Sequence, residues 1–233
     1  MRAAAPLQLR TDHGRANVHL HRVTHPRAAL VLGHGAGGGV GARDLLAVTE
    51  AALAERITVG LVEQPYRVAG RRSPSPAAQL DRAWTQVVAQ LRESELEALP
   101  LIVGGRSSGA RVACRTAAAT SAIAVLCLAF PLQPPRRVNP PPSRLPELDA
   151  VAVPLLVIQG ERDPFGMPPA RPDRTVVEVP GDHSLRGDLQ AVRSAARNWL
   201  RGPGLAAGSH PALSASATAS ATAAAPAAPI VIV

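Results

Sequence analysis

Short, mostly apolar runs recur along the chain, separated by longer stretches whose apolar residues fall three and four apart. The runs are Ala28 to His34, Ile57 to Gln64, Pro100 to Gly105, Ala122 to Phe130, Pro154 to Gly160 and Arg174 to Pro180. Runs of this length without polar alternation suit strands buried on both faces, as in a mostly parallel sheet with helices above and below. Before the first run the pattern changes to alternation, around Ala16 to Val23, which suits an antiparallel edge. Between the runs, Leu45, Val48, Ala52 and Leu53 mark one helix. Leu80, Trp84, Val87, Val88 and Leu91 mark a second, with Ser75 as its N-cap and Pro76 in its first turn. Residues 108–119 form a third helical pattern, and Leu185, Leu189, Val192, Ala196, Trp199 and Leu200 a fourth.

Two stretches break this rhythm. Phe130 to Pro154 is rich in proline, so it crosses as a loop with one short turn, too short for a separate lid domain. Beyond Gly202 the chain carries no Asp, Glu, Lys or Arg and no periodicity, which predicts a domain over 1–202 followed by a disordered tail over 203–233.

Composition narrows the picture. Aromatic residues make up only 2% of a chain that is 46% hydrophobic, so the core rests on Leu, Val, Ile and Ala. A net charge of +8 would ordinarily point to nucleic acid, but every basic residue is an arginine and they are scattered rather than gathered into a stripe. Such charge supplies only non-specific attraction, so no specific nucleic-acid partner is expected. Arg136 and Arg137 read as solvated charges of the proline-rich loop. No run is long enough to span a bilayer, and the N-terminal residues hold no sustained apolar stretch. With Cys114 and Cys127 in apolar surroundings as free thiols, the expectation is a cytoplasmic protein without a membrane partner. No His/Cys cluster has metal-ligand spacing, so neither metal nor cofactor is expected.

The chemistry centres on Val-Gly-Gly-Arg-Ser-Ser-Gly, Val103 to Gly109, where an apolar run ends and a helical pattern begins. A serine nucleophile at a strand end must leave the sheet on a sharp, strained turn, so the residues two before and two after it come into close contact and must be small. Gly105 and Gly109 meet that requirement around Ser107. Earlier, Gly33 to Gly39 places a glycine-rich turn after another strand, where backbone N–H groups can hold an oxyanion. Ala36 and Ser108 are the expected donors, with His34, Gly35 and Gly37 shaping the turn. That loop has neither the G-x-G-x-x-G spacing nor a Gly-Lys-Ser/Thr ending of a phosphate cradle.

An acid and a base follow at later strand ends: Asp163 in Gly160 to Gly166, and His183 in Gly181 to Leu185. The order Ser107, Asp163, His183, with all three at carboxyl ends of strands, is the chain order expected where the nucleophile stands on such a turn. His183 would take the proton of Ser107, and Asp163 would fix the imidazole tautomer. Glu161 is a weaker choice because it leaves the strand earlier. Asp182 is adjacent to His183 and is expected to serve the loop. His13, His19, His21, His25 and His210 read as surface residues. The residues leave three classes open: a serine hydrolase acting on a small acyl substrate, a binding or scaffold protein on the same frame with a vestigial site, and a transferase that passes the acyl group to an acceptor other than water.

The stretches Leu32 to Gly39, Gly104 to Ala113, Phe130 to Pro135, Ile158 to Gly166 and Gly181 to Leu185 together resemble small α/β-hydrolases of the dienelactone-hydrolase-like group. Within it, the chain is most similar to bacterial hydrolases related to a testis-expressed protein and to a subunit of a histone-acetyltransferase (NSL) complex. The resemblance implies an α/β-hydrolase fold with Ser107, Asp163 and His183 as its triad. Dienelactone hydrolases proper use a cysteine nucleophile; Ser107 stands here instead, so dienelactone itself is not the expected substrate.

Overall fold

Ala28–Gly33, Ile57–Glu63, Leu101–Arg106, Ala124–Leu128 and Leu155–Gly160 form strands β3 to β7, in which every side chain but two is buried. Strands with no polar face must be covered on both sides, and two apolar clusters do this. In β3, Ala29 and Val31 join the layer that includes Trp84, Val87 and Ala113, while Ala28, Leu30 and Leu32 join the layer that includes Leu45, Val48 and Ala196. The first layer is supplied by helices α3 (Ala77–Arg92) and α4 (Ser108–Thr116), the second by α1 (Arg43–Ala54) and α6 (Leu189–Arg201).

The computed structural model describes residues 5–202 except 136, 137 and 140. The predicted tail over 203–233 and the pair Arg136 and Arg137 lie outside the described residues. The sheet has eight strands in the order β1-β2-β4-β3-β5-β6-β7-β8. Strands β1 (Leu7–Thr11) and β2 (Gly14–His21) pair antiparallel at one edge, and β8 (Arg174–Val179) closes the other in parallel. This is the α/β-hydrolase architecture. Two short helices complete it: α2 (Pro65–Val68), and α5 (Leu145–Asp149) inside the proline-rich crossing between β6 and β7. Among the described residues no lid domain interrupts that crossing, and no helix is long and apolar enough to cross a membrane. Cys114 and Cys127 are free and buried, their sulfurs 3.4 Å apart.

Three element ends differ from expectation. Helix α6 begins at Leu189, not at Leu185, because Asp188 caps it by accepting the Ala191 N–H at 2.8 Å. Leu185 keeps the apolar period because, from the loop before α6 where its φ is +52°, its side chain joins the buried layer that includes Val192 and Ala196. Helix α3 starts at Ala77 with Pro76 as its cap residue. The Ser75 hydroxyl makes no cap bond, since the extended ψ of 150° at Pro76 delays the first turn by one residue. Helix α4 stops at Thr116, three residues early, and the chain turns back through Thr120 and Ser121.

Candidate active site

Strand β5 ends at Arg106 and helix α4 starts at Ser108, so Ser107 carries the whole change of direction. Its φ of +51° and ψ of −108° fall where an L-residue is strained, as a nucleophile turn demands. The glycines around it are small for steric reasons that can be measured. Gly105 and Gly33 lie opposite one another in the β3–β5 ladder, and Gly109 stacks over them. A Cβ at Gly109 would lie 2.3 Å from the Gly33 carbonyl oxygen, and one at Gly105 would lie 2.6 Å from the same atom. Both neighbours are backbone and cannot swing aside. Gly109→Ala is therefore expected to cost about 3 kcal/mol of stability, read as a lowered midpoint in urea unfolding with an unchanged slope.

The strand ends bring the predicted acid and base to this turn. The Ser107 hydroxyl donates to His183 Nε2 at 3.0 Å, and His183 Nδ1–H donates to Asp163 Oδ2 at 2.8 Å. The Asp163 side chain is fully buried, while His183 stays 19% exposed, so a substrate can reach the base. A buried carboxylate needs donors. Asp163 has three: His183, the Phe165 N–H at 2.9 Å, and the Gln159 amide at 2.9 Å. Gln159 is itself locked, its oxygen accepting the Phe130 N–H at 2.8 Å and its nitrogen facing the Gly166 carbonyl at 2.9 Å. The Phe165 ring covers the imidazole with centroids 4.4 Å apart. Glu161 is exposed and pairs with Arg162, away from His183. Asp182 accepts from the Ser184 N–H at 2.8 Å and from its hydroxyl at 2.6 Å, which shapes the loop and holds its carboxyl below the usual carboxylate range.

The glycine turn is ordered from beneath. His34 is buried, and its burial pushes the imidazole pKa down and keeps the ring neutral. Nδ1–H donates to the Gly35 carbonyl at 2.8 Å, and Nε2 accepts the Gln64 N–H at 3.1 Å, a pattern only one neutral tautomer satisfies. Tyr66 on α2 donates its hydroxyl to the Ala36 carbonyl at 2.9 Å. Among the described residues, the amides of Ala36 and Ser108 donate to no other group of the protein. At Gly37 nothing stands within 4 Å of a would-be Cβ, so that part of the turn faces open space. Of the other described histidines, His13, His19 and His21 lie on the β1–β2 hairpin and His25 just beyond it.

Sequence reasoning did not single out Gln159, Phe165, Tyr66, Arg106 or Asp44. Gln159 left a readable signal: it is the only polar side chain in the apolar run Leu155 to Gly160. The others owe their places to partners far along the chain.

Comparison with known proteins agrees with this fold. The sequence model of a family described as an alpha/beta hydrolase domain matches residues 26–198. A comparison with curated protein sequences gave no match. Among solved structures, a lidless a/b serine hydrolase from Xanthomonas campestris is similar at 20% identity and a TM-score of 0.66, over 87% of this chain and 97% of that one. Est1E from Butyrivibrio proteoclasticus is similar at 14% identity and a TM-score of 0.67, over 84% of this chain and 98% of that one. A dienelactone hydrolase from Anabaena variabilis is similar at 17% identity and a TM-score of 0.64, over 83% and 94%.

Proposed function

This chain belongs to the alpha/beta hydrolase domain family, and on that premise we propose that it is a serine hydrolase cleaving an ester, thioester or similar acyl bond of a small molecule. One observation carries the reading. An unbroken hydrogen-bonded line runs from Ser107 through His183 to a fully buried Asp163, across three separate strand ends. A surface without chemistry has no need of that alignment.

In this reading Ser107 Oγ attacks the acyl carbon while His183 Nε2 takes its proton, and Asp163 stabilises the imidazolium that forms. The negative oxygen of the tetrahedral intermediate is held by the Ala36 and Ser108 amides, helped by the positive end of α4. Tyr66 and His34 keep the Ala36 turn in place from below. The bond to the leaving group then breaks as His183 returns the proton to it, leaving an acyl-enzyme on Ser107. Water deprotonated by His183 releases the acid and restores the serine. The serine hydrolase and dienelactone hydrolase neighbours support acyl chemistry, and the absence of a lid among the described residues suits an open cleft. Kinship to the bacterial relatives of the testis-expressed and histone-acetyltransferase-complex proteins belongs to this same proposal. So does a cytoplasmic location, which suits the free thiols of Cys114 and Cys127.

A series of p-nitrophenyl esters of increasing acyl length tests the reading. The expected result is a burst of about one p-nitrophenol per chain followed by a slower steady phase, the mark of an acyl-enzyme. Folded protein that releases none across the series would leave the scaffold reading in its place.

A further inference from the structure

Arg106 occupies the position between Gly105 and Ser107, and its side chain turns back under the site instead of entering the cleft. Nε donates to Asp44 Oδ2 at 3.1 Å, and Nη2 donates to the backbone carbonyl of His183 at 2.9 Å. The third nitrogen runs along the glycine turn so closely that a Cβ at Gly35 would lie 2.7 Å from Nη1. Asp44 stands in the first turn of α1, where the chain arrives from that glycine turn, and its second oxygen accepts the Leu45 N–H at 2.9 Å. Only 2% of the Asp44 side chain and 19% of that of Arg106 are exposed. Burial pushes the Asp44 carboxyl up while the guanidinium draws it down, so the carboxylate depends on Arg106 for its charge to be tolerated.

We infer that Arg106 and Asp44 form a bracket that positions His183, by tying the loop that carries the base to the strand that carries the nucleophile. The kinetic consequence rests on the serine-hydrolase reading; the mechanical one does not. The need follows from the fold. His183 lies on the loop after β8, the edge strand of the sheet, and among the described residues no further strand lies beside it to hold that loop. A proton acceptor must stay within hydrogen-bond reach of Ser107, and a misplacement of about 1 Å costs on the order of 100-fold in rate. The guanidinium fork meets two acceptors in different directions at once, which an ammonium on a flexible stem does not do with the same geometry. Gly35 has a reason to be glycine in this arrangement: a side chain there would displace the fork.

Four measurements on Arg106→Met, Arg106→Lys and Asp44→Asn test the bracket. These are amide hydrogen exchange across residues 180–188, the melting temperature, and kcat and KM for a p-nitrophenyl ester. In Arg106→Met the loop amides are expected to exchange about tenfold faster or more, while those of β3 and β6 stay as in the wild type. The kcat is expected to fall about 10- to 100-fold with KM within about threefold. Arg106→Lys separates positioning from charge. It restores the melting temperature by neutralising Asp44, yet leaves the loop exchange fast and kcat low. Asp44→Asn keeps the shape and loosens the loop less than Arg106→Met. Loop exchange in Arg106→Lys and Asp44→Asn that matches the wild type overturns the bracket, even if Arg106→Met fails to fold. A kcat that simply follows the melting temperature across the three variants overturns it as well. If the wild-type protein hydrolyses no ester, the serine-hydrolase reading falls, and the exchange measurement still decides whether the bracket holds the loop.

Discussion

Ser107→Ala is expected to lower kcat for ester hydrolysis by about 10⁴-fold or more, with KM little changed. The substitution removes one oxygen. It leaves the proposed oxyanion donors of Ala36 and Ser108 in place, so weak residual turnover above the uncatalysed rate should survive. The protein itself should be unharmed. The strained φ of +51° is imposed by the contacts among Gly33, Gly105 and Gly109 and not by the serine side chain, so alanine pays the same backbone cost. Urea unfolding should show a stability change within about 1 kcal/mol, so lost turnover would reflect lost chemistry.

Asp163→Asn is expected to cost about as much, on the order of 10⁴-fold in kcat, through the tautomer of a different residue. Both oxygens of Asp163 meet donors: Oδ1 accepts the Phe165 N–H, and Oδ2 accepts both the Gln159 amide and His183 Nδ1–H. An asparagine must turn its NH₂ toward one side or the other. Facing Phe165 it sets two donors against each other. Facing His183 it takes the proton off Nδ1 and puts it on Nε2, where the ring can no longer accept from Ser107. Steady-state kinetics give the loss in rate, and the downfield imidazole proton resonance of His183 should disappear with it. Gln159→Leu should cost less, because the carboxylate keeps two of its three donors.

Much of this was legible in the chain because parallel strands buried on both faces leave mostly apolar runs. Ser107 and Asp163 each follow such a run, and His183 follows the partly exposed edge strand β8, each at a point marked by glycine. Gly105 and Gly109 were readable from the steric demand of the turn, and the distances to Gly33 give that demand its physical form. Asp163 over Glu161 followed from how far each stands beyond the strand, and the structure brings only Asp163 to the imidazole. The helix ends were less readable. Leu185 carries the right period for α6 yet belongs to the loop before it, since an apolar residue records burial and not backbone shape. Ser75 has the chemistry of a cap, but the dihedrals of Pro76 decide where the helix starts.

What the sequence concealed is the support beneath the site. Arg106 reaches Asp44 across 62 positions and the His183 carbonyl across 77, and no periodicity encodes a partner at that distance. Tyr66 belongs to α2, a single turn with too few residues to show a pattern, and its hydroxyl meets Ala36 thirty residues upstream. Arginine is so abundant in this chain that one more, inside the serine motif, gave no signal of its own.

Whether Ser107 is an activated nucleophile is decided by reaction with a fluorophosphonate probe followed by peptide mass mapping. One adduct per chain is expected, located on Ser107, absent in Ser107→Ala and formed far more slowly in His183→Ala. A folded wild-type protein that takes up no probe, or that carries the adduct on another residue, would contradict an activated Ser107.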